Sequence, residues 1–144
     1  MALGLVAALG VGFTSGTQVS SARVDAGPPA VPVTAKETCG QISDIYTLLL
    51  NAWNSFAESR STEQEYQGAS WLAARMLDRV DAAEGTVLAK RLDALKSLVP
   101  SSRSGTQWKA FDPMSTEWNK AFVGATAACK SAGAEVGVES WTGG

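Results

Sequence analysis

Between residues 34 and 133 apolar side chains recur at helical spacing. Thr34-Ala35-Lys36-Glu37 has the form of a capping box, in which a hydroxyl and a carboxylate three residues on satisfy free backbone N–H groups. Ile42, Tyr46, Leu49, Trp53 and Phe56 follow at spacings of 4, 3, 4 and 3, and Ile45, Leu48 and Leu50 widen the stripe. This predicts a helix that ends near residues 58–60. A second box, Thr62-Glu63-Gln64-Glu65, opens a stripe of Tyr66, Ala69, Leu72, Ala73, Met76, Val80 and Ala83. The phase slips at Gly85, after which Leu88, Leu92, Leu95 and Val99 continue, so Thr86 is expected to cap a third helix. Pro100 and the Ser101–Gly105 run close it. Asp112-Pro113 reads as the cap and first residue of a last helix, with Met114, Trp118, Ala121, Phe122, Ala125, Ala128 and Cys129 inward and Gly133 as its stop. No stretch sustains the alternation of a strand; Val136-Gly137-Val138 is short and broken by glycine. The expected fold class is all-α.

Upstream, Leu3–Phe13 is almost wholly apolar. That run is too short for a bilayer, which needs roughly 20 apolar residues in a helix, and matches a signal-peptide core. Ser20-Ser21-Ala22 and Val24-Asp25-Ala26 both suit cleavage, although no basic residue precedes Arg23. Gly27-Pro28-Pro29-Ala30-Val31-Pro32 reads as an extended tether. The polar residues before Cys39 do not form a lipobox. The expected organisation is a signal peptide over 1–26, a tether over 27–33, a helical bundle over 34–133 and a flexible tail over 134–144. Secreted or envelope localisation follows, with no stable membrane span after cleavage.

The two cysteines restrict the topology. In an exported protein an isolated pair is expected to form a disulfide. Cys39 starts the first helix and Cys129 lies near the end of the last. In an up-down bundle those points share an end only if the number of helices is even. A continuous helix over 62–99 would leave three, with the sulfurs roughly 30 Å apart, whereas a bridge needs Cα atoms within about 7 Å. Pairing therefore predicts a break at Gly85 and an up-down four-helix bundle.

Composition narrows the chemistry. The 144 residues carry a net charge of −2 and no histidine. Histidine-based triads, the usual zinc sites and the commonest general base are therefore excluded, and a near-neutral chain is a poor binder of nucleic-acid backbone. No P-loop, Gly-x-Ser-x-Gly or Ser-x-x-Lys pattern occurs downstream of the leader. Arg75 with Asp78, Asp93 with Lys96 and Glu117 with Lys120 stand at i,i+3 and read as solvated ion pairs. Asp78, Asp81 and Glu84 form an acidic strip without a ligand loop, so no metal is expected. Lys90-Arg91, Lys96 and Arg103 cluster as a basic bias suited to the helix dipole. Of the five tryptophans, Trp53 and Trp118 sit on core stripes, whereas Trp71, Trp108 and Trp141 do not. Large aromatics outside a core mark recognition surfaces. Trp108, with Trp71 and Tyr66, is the expected patch at one end of the bundle.

The arrangement of apolar leader, Pro-containing tether and a cysteine near each end of a helical domain resembles small exported all-helical proteins of bacteria. That resemblance is architectural and implies no activity. WXG100 secretion substrates place Trp-x-Gly between two helices, whereas Trp141-Thr142-Gly143 lies in the tail. Secreted haem-binding helical domains supply His or Tyr ligands, for which this chain offers Tyr46 and Tyr66 alone. Exported chorismate mutases are helical, disulfide-bonded and line a pocket with Arg and Lys; Arg75, Arg79, Lys90 and Arg91 offer such charges without an aligned motif. The expected function is a non-enzymatic binding module for a protein or envelope ligand, without a cofactor. The alternative is a small exported enzyme with that Arg/Lys pocket.

Overall fold

The computed structural model describes residues 33–102 and 108–139. The expected leader, nearly all of the tether, residues 103–107 with Arg103, and residues 140–144 with Trp141 lie outside the described residues. Among the described residues there are helices α1 (Ala35–Ala57), α2 (Glu63–Asp78), α3 (Val87–Lys96) and α5 (Thr116–Ser131), a single turn α4 (Trp108–Phe111), and no strand.

Three threonines start helices as their local chemistry predicts. The Thr34 hydroxyl accepts from the Glu37 N–H at 3.2 Å, and the Glu37 carboxylate accepts from the Thr34 N–H at 2.9 Å. Thr62 and Glu65 repeat the arrangement at 3.2 and 2.8 Å. In both boxes the backbone N–H donated to the carboxylate holds the glutamate below its ordinary pKa. The Thr86 hydroxyl accepts from the Ala89 N–H at 3.0 Å and opens α3.

Two boundaries differ from expectation. The second helix stops at Asp78, not near Ala83, because the following turn has its own tertiary ties. The Thr38 hydroxyl donates to the Asp81 carbonyl at 2.7 Å, and Val80 is buried. Gly85 then takes φ +74, which glycine adopts without a Cβ clash. The last long helix starts after Ser115, whose hydroxyl accepts from the Trp118 N–H at 3.0 Å. Asp112 instead closes a turn by accepting from the Met114 N–H at 2.8 Å, and Pro113 is buried within it.

α1 packs chiefly on α2, and α3 on α5. The core is apolar, with Trp118, Phe111, Leu49, Leu77 and Leu95 fully buried beside Ile42, Ile45, Leu88 and Leu92. Cys39 and Cys129 form a disulfide within it, their Cα atoms 5.9 Å apart. The bridge joins α1 to α5 and so couples one helix pair to the other. The phase of α2 is corrected in part: Ala73 faces inward as expected, but its buried companions are Ser70, Ala74 and Leu77, while Leu72 is 54% exposed and Met76 also faces solvent. Small side chains at the contact allow close helix approach. Trp53 is only half-buried, and Phe56 and Met114 are exposed, so these three stand outside the core.

The described part of the tail lies along α1. After Gly133 at φ +75, the Ser43 hydroxyl donates to the Gly137 carbonyl. The Asn51 side-chain amide donates to the Glu139 carbonyl at 3.2 Å, and the Glu139 N–H donates to the Thr47 hydroxyl at 3.3 Å. Ala134 is buried and Val136 packs on the core.

Candidate recognition surface

Tyr66 connects two turns at one end of the molecule. It lies in the first turns of α2, and its ring stacks on Phe56 from the end of α1 at 5.2 Å. Its hydroxyl donates to Asp112 Oδ2, in the turn between α4 and α5, at 3.4 Å. Burial and then the Asp112 charge push the phenol up to about 12. Tyr66 therefore remains a neutral hydrogen-bond donor at any physiological pH.

A titration follows from this. A tyrosine whose folded pKa is raised contributes stability that is complete below the ordinary value of 10.0 and is lost as pH rises toward about 12. Burial also raises Tyr46. Tyrosinate absorbance should show both of the chain's two tyrosines ionising above the ordinary value. Tyr66 should complete its step only near pH 12, and that step should vanish in Tyr66→Phe. Ionisation of Tyr66 at the ordinary value would contradict its burial against Asp112.

A second aromatic group is interior. Phe111 meets Trp118 edge-on at 5.0 Å, Tyr46 lies 3.9 Å from Phe122, and Tyr46 stacks near Trp118 at 6.1 Å. These rings join α1, α4 and α5, and the Trp118 indole N–H has no hydrogen-bond acceptor among the described residues.

The expected recognition residues take different positions. The Trp108 backbone belongs to α4, whereas its side chain lies outside the described residues. Trp71 is half-buried, with the Arg75 guanidinium 5.0 Å from its ring centroid, and Arg75 also pairs with Asp78. Five residues on a helix turn through roughly 140°, so Trp71 and Tyr66 do not share one face of α2.

The four residues of the alternative anion pocket are all exposed. Arg79 borders a cavity of about 230 Å³ between α1 and α2, with Gln41, Asp44, Ile45, Met76 and Val80. Arg91 lies across α5, where a methyl at Gly124 would meet its Cδ at 3.3 Å. A more polar cavity of about 320 Å³ takes in Asp81, Glu84, Asp93 and Lys96 around the Gly85 turn. Among the described residues no group of three or more acidic or cysteine side chains is set to hold a metal ion.

Two features escaped the sequence reading. The exposed pair Leu72 and Met76 was hidden by the misjudged phase of α2. The seat of 134–139 on α1 had only a partial signal, since Ala134 and Val136 turn inward between exposed neighbours but Val138 does not. No family model, curated protein or solved structure matches the chain.

Proposed function

We propose that the chain is an extracytoplasmic helical domain, up-down in topology, that binds a protein or envelope ligand and catalyses no reaction. The observation that carries this reading is the disulfide buried in an apolar core, with the charged groups of the alternative enzyme pocket left on exposed helix surfaces. Such bridges persist in oxidising compartments, and the apolar run Leu3–Phe13 supplies a route of export. Among the described residues no helix is long and apolar enough to cross a membrane. The up-down order is supported by two contacts: Thr38 near the start of α1 meets Asp81 beyond α2, and Phe56 near its end meets Tyr66.

Recognition is assigned to the end where Tyr66 joins Phe56 and Asp112, with Trp108 in the adjoining turn α4. Aromatic side chains on a segment held between helices combine large contact area with small ordering cost. Trp108→Ala should leave urea denaturation close to wild type and reduce partner capture from the cell envelope by tenfold or more. A loss of folding free energy of roughly 3–5 kcal/mol, the cost of emptying a core tryptophan site, would place Trp108 in the core and overturn this assignment.

A further inference from the structure

We propose that the outer face of α2 is a self-association surface, on which a second copy of the chain docks its own α2 in antiparallel register about Leu72. The inference goes beyond the recognition end at Trp108 and does not rest on it.

Helix geometry sets the face. Glu65, Leu72 and Arg79 stand seven residues apart, and Gly68 and Met76 lie four residues to either side of Leu72. At about 100° per residue, all five fall within roughly 40° of Leu72 around the helix axis. All five are exposed, and Leu72 and Met76 are 54% and 36% exposed. Ser70, Ala73, Ala74 and Leu77 point the opposite way, into the core. The core of one copy therefore leaves Leu72 and Met76 uncovered.

The order along this face is acidic, small, apolar, apolar, basic, and an antiparallel copy complements it. With Leu72 opposite Leu72 of the second copy, Arg79 comes level with Glu65 of that copy, and Glu65 with its Arg79. Both stand seven residues from the centre. Met76 comes level with the small pair Gly68 and Ala69. A parallel copy would instead set like charges against each other. Both charges are available. The capping box uses only Oε2 of Glu65, and Oε1 makes no bond among the described residues. Arg79 forms no ion pair among the described residues, whereas Arg75 pairs with Asp78 and lies over Trp71.

Gly68 gives a separate reason. Glycine inside a helix is less stable than alanine, and a Cβ at Gly68 would meet nothing within 4 Å. The fold of one copy does not require glycine there. A second helix does, because the missing side chain lets it approach the backbone closely.

The area sets the strength. α2 has 16 residues and is about 24 Å long, so one helix pair buries less than the roughly 1,200–2,000 Å² of a standard interface. The dimer is weak, with a Kd of about 10–300 μM. The charges at the rim fix register more than affinity.

Sedimentation equilibrium of the purified, disulfide-bonded protein up to about 1 mM tests this. Wild type should dimerise in that range. Leu72→Glu should weaken the dimer at least tenfold. Gly68→Gln should do the same while its melting temperature stays at or above that of wild type. Arg79→Glu alone and Glu65→Lys alone should each weaken it about tenfold, since each puts like charges together twice. An equimolar mixture of these two variants restores both pairs and should associate within threefold of wild type. Circular dichroism checks that each variant is folded, Glu65→Lys above all, because it loses its capping box.

A wild-type protein that stays monomeric at about 1 mM overturns the proposal. So does a dimer indifferent to both Leu72→Glu and Gly68→Gln. A mixture of Arg79→Glu and Glu65→Lys that associates no better than either variant alone rules out the antiparallel register, and the proposal with it. A monomeric wild type whose envelope partner is lost in Leu72→Glu gives the face to a different protein and also overturns the second copy as its occupant.

Discussion

Replacing both cysteines, as Cys39→Ala with Cys129→Ala, should lower the folding free energy by about 4–5 kcal/mol. The bridge closes a loop of 90 residues, and in the chain-entropy model a loop of that size removes about this much from the unfolded ensemble. Small domains have only about 5–15 kcal/mol in total, so the variant should sit near the edge of folding. For a domain of about 100 residues each kcal/mol moves the melting temperature by about 4–8 °C. Substitution is the cleaner experiment, because both cysteines are fully buried and a reductant reaches them only when the helices part. Alanine avoids placing a hydroxyl in the apolar core. Unchanged melting would show that the bridge has no structural role. The effect is expected to be large because the bridge joins α1 of one helix pair to α5 of the other.

The second large effect belongs to Trp118. It is 1% exposed and touches Phe111 edge-on, with Tyr46 and Phe122 beside it. Trp118→Ala should cost about 3–5 kcal/mol, the transfer free energy plus the cavity left among rings held by three helical segments. Trp118→Phe should cost much less. The indole N–H has no acceptor among the described residues, so phenylalanine removes a buried donor that carries a penalty while keeping most of the ring volume. Urea denaturation with an unchanged slope checks both values. A phenylalanine variant as unstable as the alanine variant would mean that the indole nitrogen is hydrogen-bonded.

The helix starts were legible because they are local. Thr34, Thr62 and Thr86 each satisfy backbone groups within three residues, and no distant contact is needed to read them. The disulfide was legible because the chain holds a single pair of cysteines, and that pair closes between α1 and α5. The face of α2 was legible only in part. Ala73 was placed inward and is buried, but ranking by hydrophobicity also selects Leu72 and Met76, whereas the packing uses Ser70 and Ala74, whose value lies in being small where helices approach. The start of α5 was misplaced by three residues: Asp112 was read as the cap, whereas Ser115 caps the helix and Asp112 closes the preceding turn, in which Pro113 is buried. The Tyr66–Asp112 contact spans 46 residues, and no local pattern encodes it. The seat of the tail was not legible, because its bonds to Ser43, Thr47 and Asn51 link residues about 90 positions apart and exist only once α1 has formed.

The most direct test of an exported, disulfide-stapled binding domain is mass spectrometry of the protein recovered from its producing cells, digested without reduction. The account predicts a mature N-terminus between Arg23 and Val31 in the envelope or culture fluid, and the Cys39 and Cys129 peptides joined. Mature protein in the cytoplasm with Met1 intact and both thiols free would contradict it.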